Sequence, residues 1–218
     1  MTFIAFISDF FLHLDAHLLD LVVQYGTSTY LVLALVIFSE TGLVFAPFLP
    51  GDSLLFASGA IGATGALDIW TLAAVILVSA ILGDAVNYAI GSTSGKRLMA
   101  KERRLIKPSH IEKTQAFFAK HGGKAIVYAR FVPIVRTFAP FVAGVAAMPY
   151  RKFAVFNVAG ALVWTVSLLG AGYFFGQTEF VKTHFSEFII GIVVVSLAPA
   201  VLSAFQAWVD DDDMSLVH

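Results

Sequence analysis

Two of the apolar stretches in this chain are interrupted by proline and glycine, and each carries a pair of charges in its interior. Glu40 and Asp52 lie in the first, Arg130 and Arg136 in the second. A charge near the centre of a bilayer costs about 2.5–3.5 kcal/mol even on the mildest insertion scale, so four of them require partners, a wet cavity or a task. Opposite signs on separate segments predict that the two stretches face one another. That the solvent is lipid follows from composition: 58% of the 218 residues are hydrophobic and 13% charged, more apolar surface than a soluble domain of this size can bury. Cysteine is absent, which excludes a disulfide framework, a thiolate nucleophile and a cysteine-based metal or cluster site.

Charge distribution sets the expected topology. No Lys or Arg precedes Lys96, and thirteen of the fourteen basic residues fall between Lys96 and Lys152, the exception being Lys182. From Lys96 to Lys124, nine basic residues stand against Glu102 and Glu112, a net +7. By the positive-inside rule this segment is cytoplasmic, a commoner role for a basic loop between apolar spans than nucleic-acid binding, and no nucleic-acid partner is expected. Three stretches, 68–95, 152–176 and 185–209, contain the roughly 20 apolar residues needed to cross a ~30 Å hydrocarbon core. With the basic segment 96–120 inside, the N-terminus is expected outside, the C-terminus in the cytoplasm, and residues 210–218 form an acidic tail.

Parity then requires that residues 121–150 enter and leave on the same face. Pro133, Pro140 and Gly144 are expected to break that segment, because proline removes a backbone donor and clashes with the preceding turn. Such breaks persist at membrane depth only where they line a cavity or pack in protein. Residues 28–64, interrupted at Pro47, Pro50 and Gly51, read as a matching hairpin from the outer face, with a complete span at 28–46 left open. Residues 3–25 show helical spacing of Phe and Leu against Asp9, His13, Asp15 and Asp20, an interfacial amphipathic helix; Ser109–Lys120 could match it inside. The expected fold is an all-α polytopic membrane protein: an inverted repeat of two re-entrant helical hairpins with amphipathic helices, plus three full transmembrane helices. In such repeats, transporter sites form near the midplane from discontinuous helices.

The stretches FSETGLVFAPFLPGDSLLFASGA, LGDAVNYAIG, KHGGKAIVYARFVPIVRTFAPFVAGVAAM and FNVAGALVWTVSLLGAGYFFG resemble the DedA family of bacterial inner-membrane proteins over most of residues 25–176. The resemblance implies lipid translocation dependent on the proton-motive force, with undecaprenyl phosphate recycling and phosphatidylethanolamine movement the proposed activities, and kinship with eukaryotic VTT-domain lipid scramblases. It places the family's essential acidic and basic positions on Glu40, Asp52, Arg130 and Arg136. The tail Asp210–Asp213 departs from the basic tails usual in the family.

Chemistry assigns these four residues distinct roles. A guanidinium stays charged and presents a planar fork to phosphate oxygens, so Arg130 and Arg136 are the candidates for holding an anionic headgroup. Desolvation raises the proton affinity of a carboxylate and a facing Arg lowers it, so Glu40 and Asp52 are the candidates for taking up protons when substrate displaces them from the arginines. A static salt-bridge brace is the alternative. Asp84 and Asn87 are secondary candidates, either capping hairpin backbone or extending a proton path, while Asn157 and Trp164 read as helix-packing residues with local partners. His13 and His17 are one helical turn apart but lack a third ligand, and the four terminal Asp lack calcium-loop spacing, so no metal and no cofactor is expected. No nucleophile–base–orienter set is visible, so the chain reads as a transporter of lipids and protons rather than an enzyme. A proton-coupled small-cation exporter and a membrane scaffold are the rivals, disfavoured by the arginine pair. A homo-oligomer is left open.

Overall fold

The computed structural model describes residues 14–43, 51–100, 122–184, 187 and 191. Every regular element among the described residues is a helix, with no strand: α1 (Leu14–Tyr25), a 3-10 turn (Gly26–Ser28), α2 (Thr29–Gly42), α3 (Gly51–Ala63), α4 (Ile69–Ala100), α5 (Lys124–Ala129), α6 (Pro133–Val145), α7 (Tyr150–Phe175) and the short α8 (Glu179–Thr183). Three helical stretches are long and apolar enough to cross a bilayer: Asp20–Gly42, Ile69–Ser94 and Tyr150–Phe175. The second and third fall on two of the three expected spans. The expected span at 185–209, the segment 101–121, the tail, and Pro47 and Pro50 lie outside the described residues, apart from residues 187 and 191.

The Asp20–Gly42 stretch begins in the expected interfacial helix 3–25 and continues into the expected hairpin 28–64, and it is bent between them. Gly26 adopts φ +53, and the Thr29 hydroxyl donates to the Leu21 carbonyl at 3.1 Å, a contact that a straight helix of this separation would not allow. Beyond the bend, α2 runs parallel to α4 over half of the latter's length. Tyr30 OH accepts the Asp68 N–H at 2.8 Å beside the start of α4, and Gly42 lies against Gly83 in its middle. Fourteen residues of α2 rise about 21 Å, and thirteen each of α3 and α6 about 20 Å, short of a ~30 Å core. These lengths are consistent with hairpins whose tips stop at mid-depth.

The breaks have local causes. Leu43 is extended where α2 ends. At the other hairpin, the N–H groups of Arg130, Phe131 and Val132 close back on the carbonyls three residues earlier, and Val132 is pushed to the extended region as the residue before a proline. Pro133 then opens α6 at its first turn, where its missing N–H costs nothing. Pro140 and Gly144, expected among the breaks, lie inside α6 instead. Pro140 leaves the Arg136 carbonyl without its helical donor; at the next residue Asn87 Nδ2 donates to the Thr137 carbonyl at 2.7 Å, tying this turn of α6 to α4. Gly144 serves contact: a Cβ there would collide with the Tyr88 carbonyl of α4.

Two structural halves repeat the same order, α2–break–α3–α4 and α5–break–α6–α7. The first arm of each hairpin packs on its own long helix, α2 on α4 and α5 on α7; the second arm crosses to the other, α3 on α7 and α6 on α4. Glycines permit the crossings. Gly59 and Gly172 bring α3 onto α7 beside Phe56, and Gly144 and Gly91 bring α6 onto α4 beside Phe141. One apolar core joins Leu33, Ile37, Leu55, Leu72, Ile76 and Trp164; a second joins Tyr88, Ile126, Ala143, Met148 and Phe153, with the Tyr88 and Phe153 rings stacked at 4.5 Å. Outward, α4 exposes Val78, Leu82, Val86 and Ile90 at four-residue spacing, the apolar face that lipid would cover. At the start of α4, Thr71 donates through both its N–H and its hydroxyl to Asp68 at 2.7 Å, holding that carboxyl below the usual carboxylate range.

Candidate functional site

Where the hairpin tips meet the middles of α4 and α7, the apolar interior contains five ionisable side chains. Glu40, at the C-terminal end of α2, is fully buried; Arg130 and Arg136 are 2% and 4% exposed and Asp84 2%. Asp52, in the first turn of α3, keeps 13% of its side chain accessible. The placement suits the helix dipoles unequally, since a carboxylate is favoured at a helix N-terminus and disfavoured at a C-terminus.

Arg136 projects from α6 and spreads its fork over both carboxylates of the first hairpin. Nη1 donates to Asp52 Oδ1 at 2.7 Å and Nη2 to Glu40 Oε1. Gly51 is what lets α3 begin this close to Glu40, because a Cβ at that position would overlap the Glu40 carboxylate. The expected opposition of acidic and basic pairs therefore holds for Arg136, with one guanidinium serving two carboxylates.

Arg130 keeps different company. Its Nη2 donates to Asp84 of α4 and, at 2.8 Å, to Asn157 Oδ1 of α7, rather than to Glu40 or Asp52. Asn157 in turn donates to the Ile81 carbonyl at 3.1 Å, tying α7 to α4 beneath the pair. Asp84 thus stands as Arg130's counter-ion. Asn87 joins the two hairpins by donating to the Thr41 carbonyl at 3.0 Å and the Thr137 carbonyl at 2.7 Å. The first is an orphan acceptor at the α2 C-terminus, so the capping reading of Asn87 is the one its contacts fit.

Trp164, expected as a helix-packing residue with a local partner, stands between the arginine centres. Its indole N–H donates to Asp52 Oδ1 at 2.8 Å, and its ring lies 5.1 Å from the Arg136 guanidinium carbon and 5.7 Å from that of Arg130. Asn157 and Trp164 are seven residues apart on one face of α7, a spacing visible beforehand but uninformative until Arg130 is placed against it. A second signal was present in the sequence. Ala46-Pro47-Phe48-Leu49-Pro50 matches Ala129-Arg130-Phe131-Val132-Pro133, and Phe56…Gly59 matches Phe141…Gly144 after two extra residues. Among the described residues no group of His, Asp or Glu is arranged to hold a metal ion; His13, and the side chain of His17, lie outside them.

Comparison with known proteins fits this arrangement. Residues 49–174 match the VTT domain. The chain is 50% identical over 209 residues to Protein DedA of Escherichia coli (strain K12), covering 94% of this chain and 95% of that protein. It belongs to the DedA family. An uncharacterized membrane protein of Mycobacterium leprae (strain TN) is 42% identical over 174 residues, covering 79% of this chain and 78% of its own. Inner membrane protein YghB of Escherichia coli (strain K12) is 31% identical over 191 residues, covering 87% and 84%. No solved structure matches. The DedA-family match includes α3, α4, α6 and α7, and with them Asp52, Asp84, Arg130, Arg136, Asn157 and Trp164; Glu40 precedes the VTT segment but falls in the first hairpin.

Proposed function

We propose that this DedA-family protein moves a phosphate-bearing lipid across the bacterial inner membrane, using the proton gradient. Undecaprenyl phosphate and phosphatidylethanolamine are the two headgroup classes proposed. The observation that supports the reading best is Arg136, buried at the junction of two broken helices and bound to two carboxylates drawn from the opposite hairpin. A guanidinium fork matches phosphate oxygens bidentately. When Glu40 and Asp52 take up protons their attraction for Arg136 weakens, and the fork is released to an entering phosphate; loss of the protons restores the pairs and expels the headgroup. Arg130 provides a second fork, held by Asp84 and Asn157, toward which the same phosphate can pass. The proton path runs through Glu40 and Asp52, with Asp84 as the further carboxylate.

The reading is of a transporter rather than an enzyme, because the site pairs charges of opposite sign and offers no activated nucleophile. A proton-coupled exporter of small cations is the second reading: carboxylates alone would serve it, and two arginines in the same site would repel its cargo. Topologically, the N-terminus lies outside, the basic segment 96–120 in the cytoplasm, both hairpins re-enter, and the C-terminus is cytoplasmic. Partners are membrane lipids and protons, with a second copy of the chain open.

The test is reconstitution into vesicles with fluorescent polyprenyl-phosphate and phosphatidylethanolamine analogues, read with and without a pH gradient. Faster movement of at least one analogue under the gradient is expected. Gradient-driven uptake of a small cation, with neither lipid moved, would replace the proposal by the second reading.

A further inference from the structure

We infer that Trp164 is a positioning residue that links the two arginine centres, so that the protonation state of Asp52 is felt at both Arg136 and Arg130. The transport consequence rests on the proton-coupled reading above; the linkage itself does not.

Trp164 is fully buried and meets three of the five charged groups of the site. Its N–H is a donor only, and it meets the same Asp52 oxygen that accepts from Arg136 Nη1. Its ring face attracts cations, and both guanidiniums lie within the roughly 6 Å reach of that attraction. Asp52 is faced by Arg136 from α6, by Glu40 from α2 and by the indole from α7; Arg130, paired with Asp84 of α4, meets the same ring. A proton on Asp52 removes the charge assistance from the indole bond. The ring is then less firmly held, and both guanidiniums share the change.

Comparison of the two halves argues against simple space-filling. Gly91 meets Phe141 and Gly144 as Gly172 meets Phe56 and Gly59, which fixes the correspondence of α4 with α7 at an offset that equates Gly83 with Trp164. At Gly83 the hairpin tip packs directly on helix backbone, where a Cβ would sit 2.9 Å from the Phe38 carbonyl and 3.0 Å from the Gly42 nitrogen. The repeat therefore packs at this register with no side chain at all. In the second half the position is filled by an aromatic residue that packs on the apolar core and directs its N–H and its ring face to charged groups of the site.

The chain has three tryptophans, Trp70, Trp164 and Trp208, so a W70F/W208F protein in lipid nanodiscs reports on Trp164 alone. Its emission is expected to show a titration step with pH that Asp52→Asn removes. Emission independent of pH, or a step that persists in Asp52→Asn, overturns the linkage. In transport, Trp164→Phe keeps a ring and loses the donor, and the pH midpoint of gradient-driven lipid movement should rise by about one unit, the size of one hydrogen bond to a charged group. An unchanged midpoint overturns the inference. If the parent protein moves neither phosphate lipid while the Asp52-dependent emission step is present, the transport reading fails and the linkage stands.

Discussion

Arg136 and Arg130 bring the same charge into the same apolar interior, yet their partners differ. Arg136 is shared between two acids of the opposing hairpin, Glu40 and Asp52, whereas Arg130 is fixed to the long helices through Asp84 and Asn157. Lysine at either position would keep the charge and lose the planar fork. Arg136→Lys and Arg130→Lys should each reduce lipid movement by tenfold or more, about 1.4 kcal/mol, while the protein still inserts and purifies as a single species. Flipping rates in vesicles, beside size-exclusion profiles, measure both. Retention of parental rates in both variants would remove the headgroup role from the arginines. Of this cluster, the sequence identified the members and the opposing signs; it did not identify the pairing. Contacts such as Arg130 with Asp84 and Trp164 with Asp52 join residues 46 and 112 positions apart, and which partner is met depends on helix register that no local pattern encodes. Asn157 and Trp164 read as packing residues because their polar atoms acquire meaning only when Arg130 and Asp52 lie against α7.

At the scale of elements, the two halves also differ in how their second arms end. Past α3 the chain turns through Gly65 at φ +81; past α6 it turns through Ala147 at φ +55, with the N–H of Ala147 bonded to the Gly144 carbonyl and that of Met148 to the Ala143 carbonyl. The left-handed region costs an L-residue roughly 1–2 kcal/mol that glycine avoids. Ala147→Gly, copying Gly65, should therefore stabilise the protein by up to about 1 kcal/mol after the greater unfolded-state freedom of glycine is subtracted. A rise in thermal midpoint in detergent would show it, and a fall would contradict the strain assigned to the turn. The long helices α4 and α7 were legible because twenty consecutive apolar residues have few alternatives in lipid. Element ends were less so. Pro140 marks no break: α6 runs on through it, with Asn87 of another helix bonded to the carbonyl of nearby Thr137, and that contact is a tertiary fact. The residue-level repeat, Ala-x-Phe-x-Pro followed by Phe-x-x-Gly, was on view but obscured by two extra residues in the second half.

For the whole molecule, the account is of two inverted halves whose hairpin tips meet between α4 and α7. If the basic segment is cytoplasmic, a single cysteine at Asp68 should be labelled by a membrane-impermeant thiol reagent in intact cells, and one at Arg104 only after the membrane is opened. The chain has no native cysteine to confuse the result; the opposite labelling pattern would invert the topology. The central claim, that Glu40 and Asp52 exchange Arg136 for protons during transport, is tested most directly by gradient-stimulated flipping of a phosphate lipid in vesicles containing the Glu40→Gln/Asp52→Asn double variant. These substitutions keep size and polarity and remove ionisation. The account predicts that the variant folds and binds the lipid but moves it at the same rate with and without the pH gradient, whereas stimulation equal to that of the parent would contradict it.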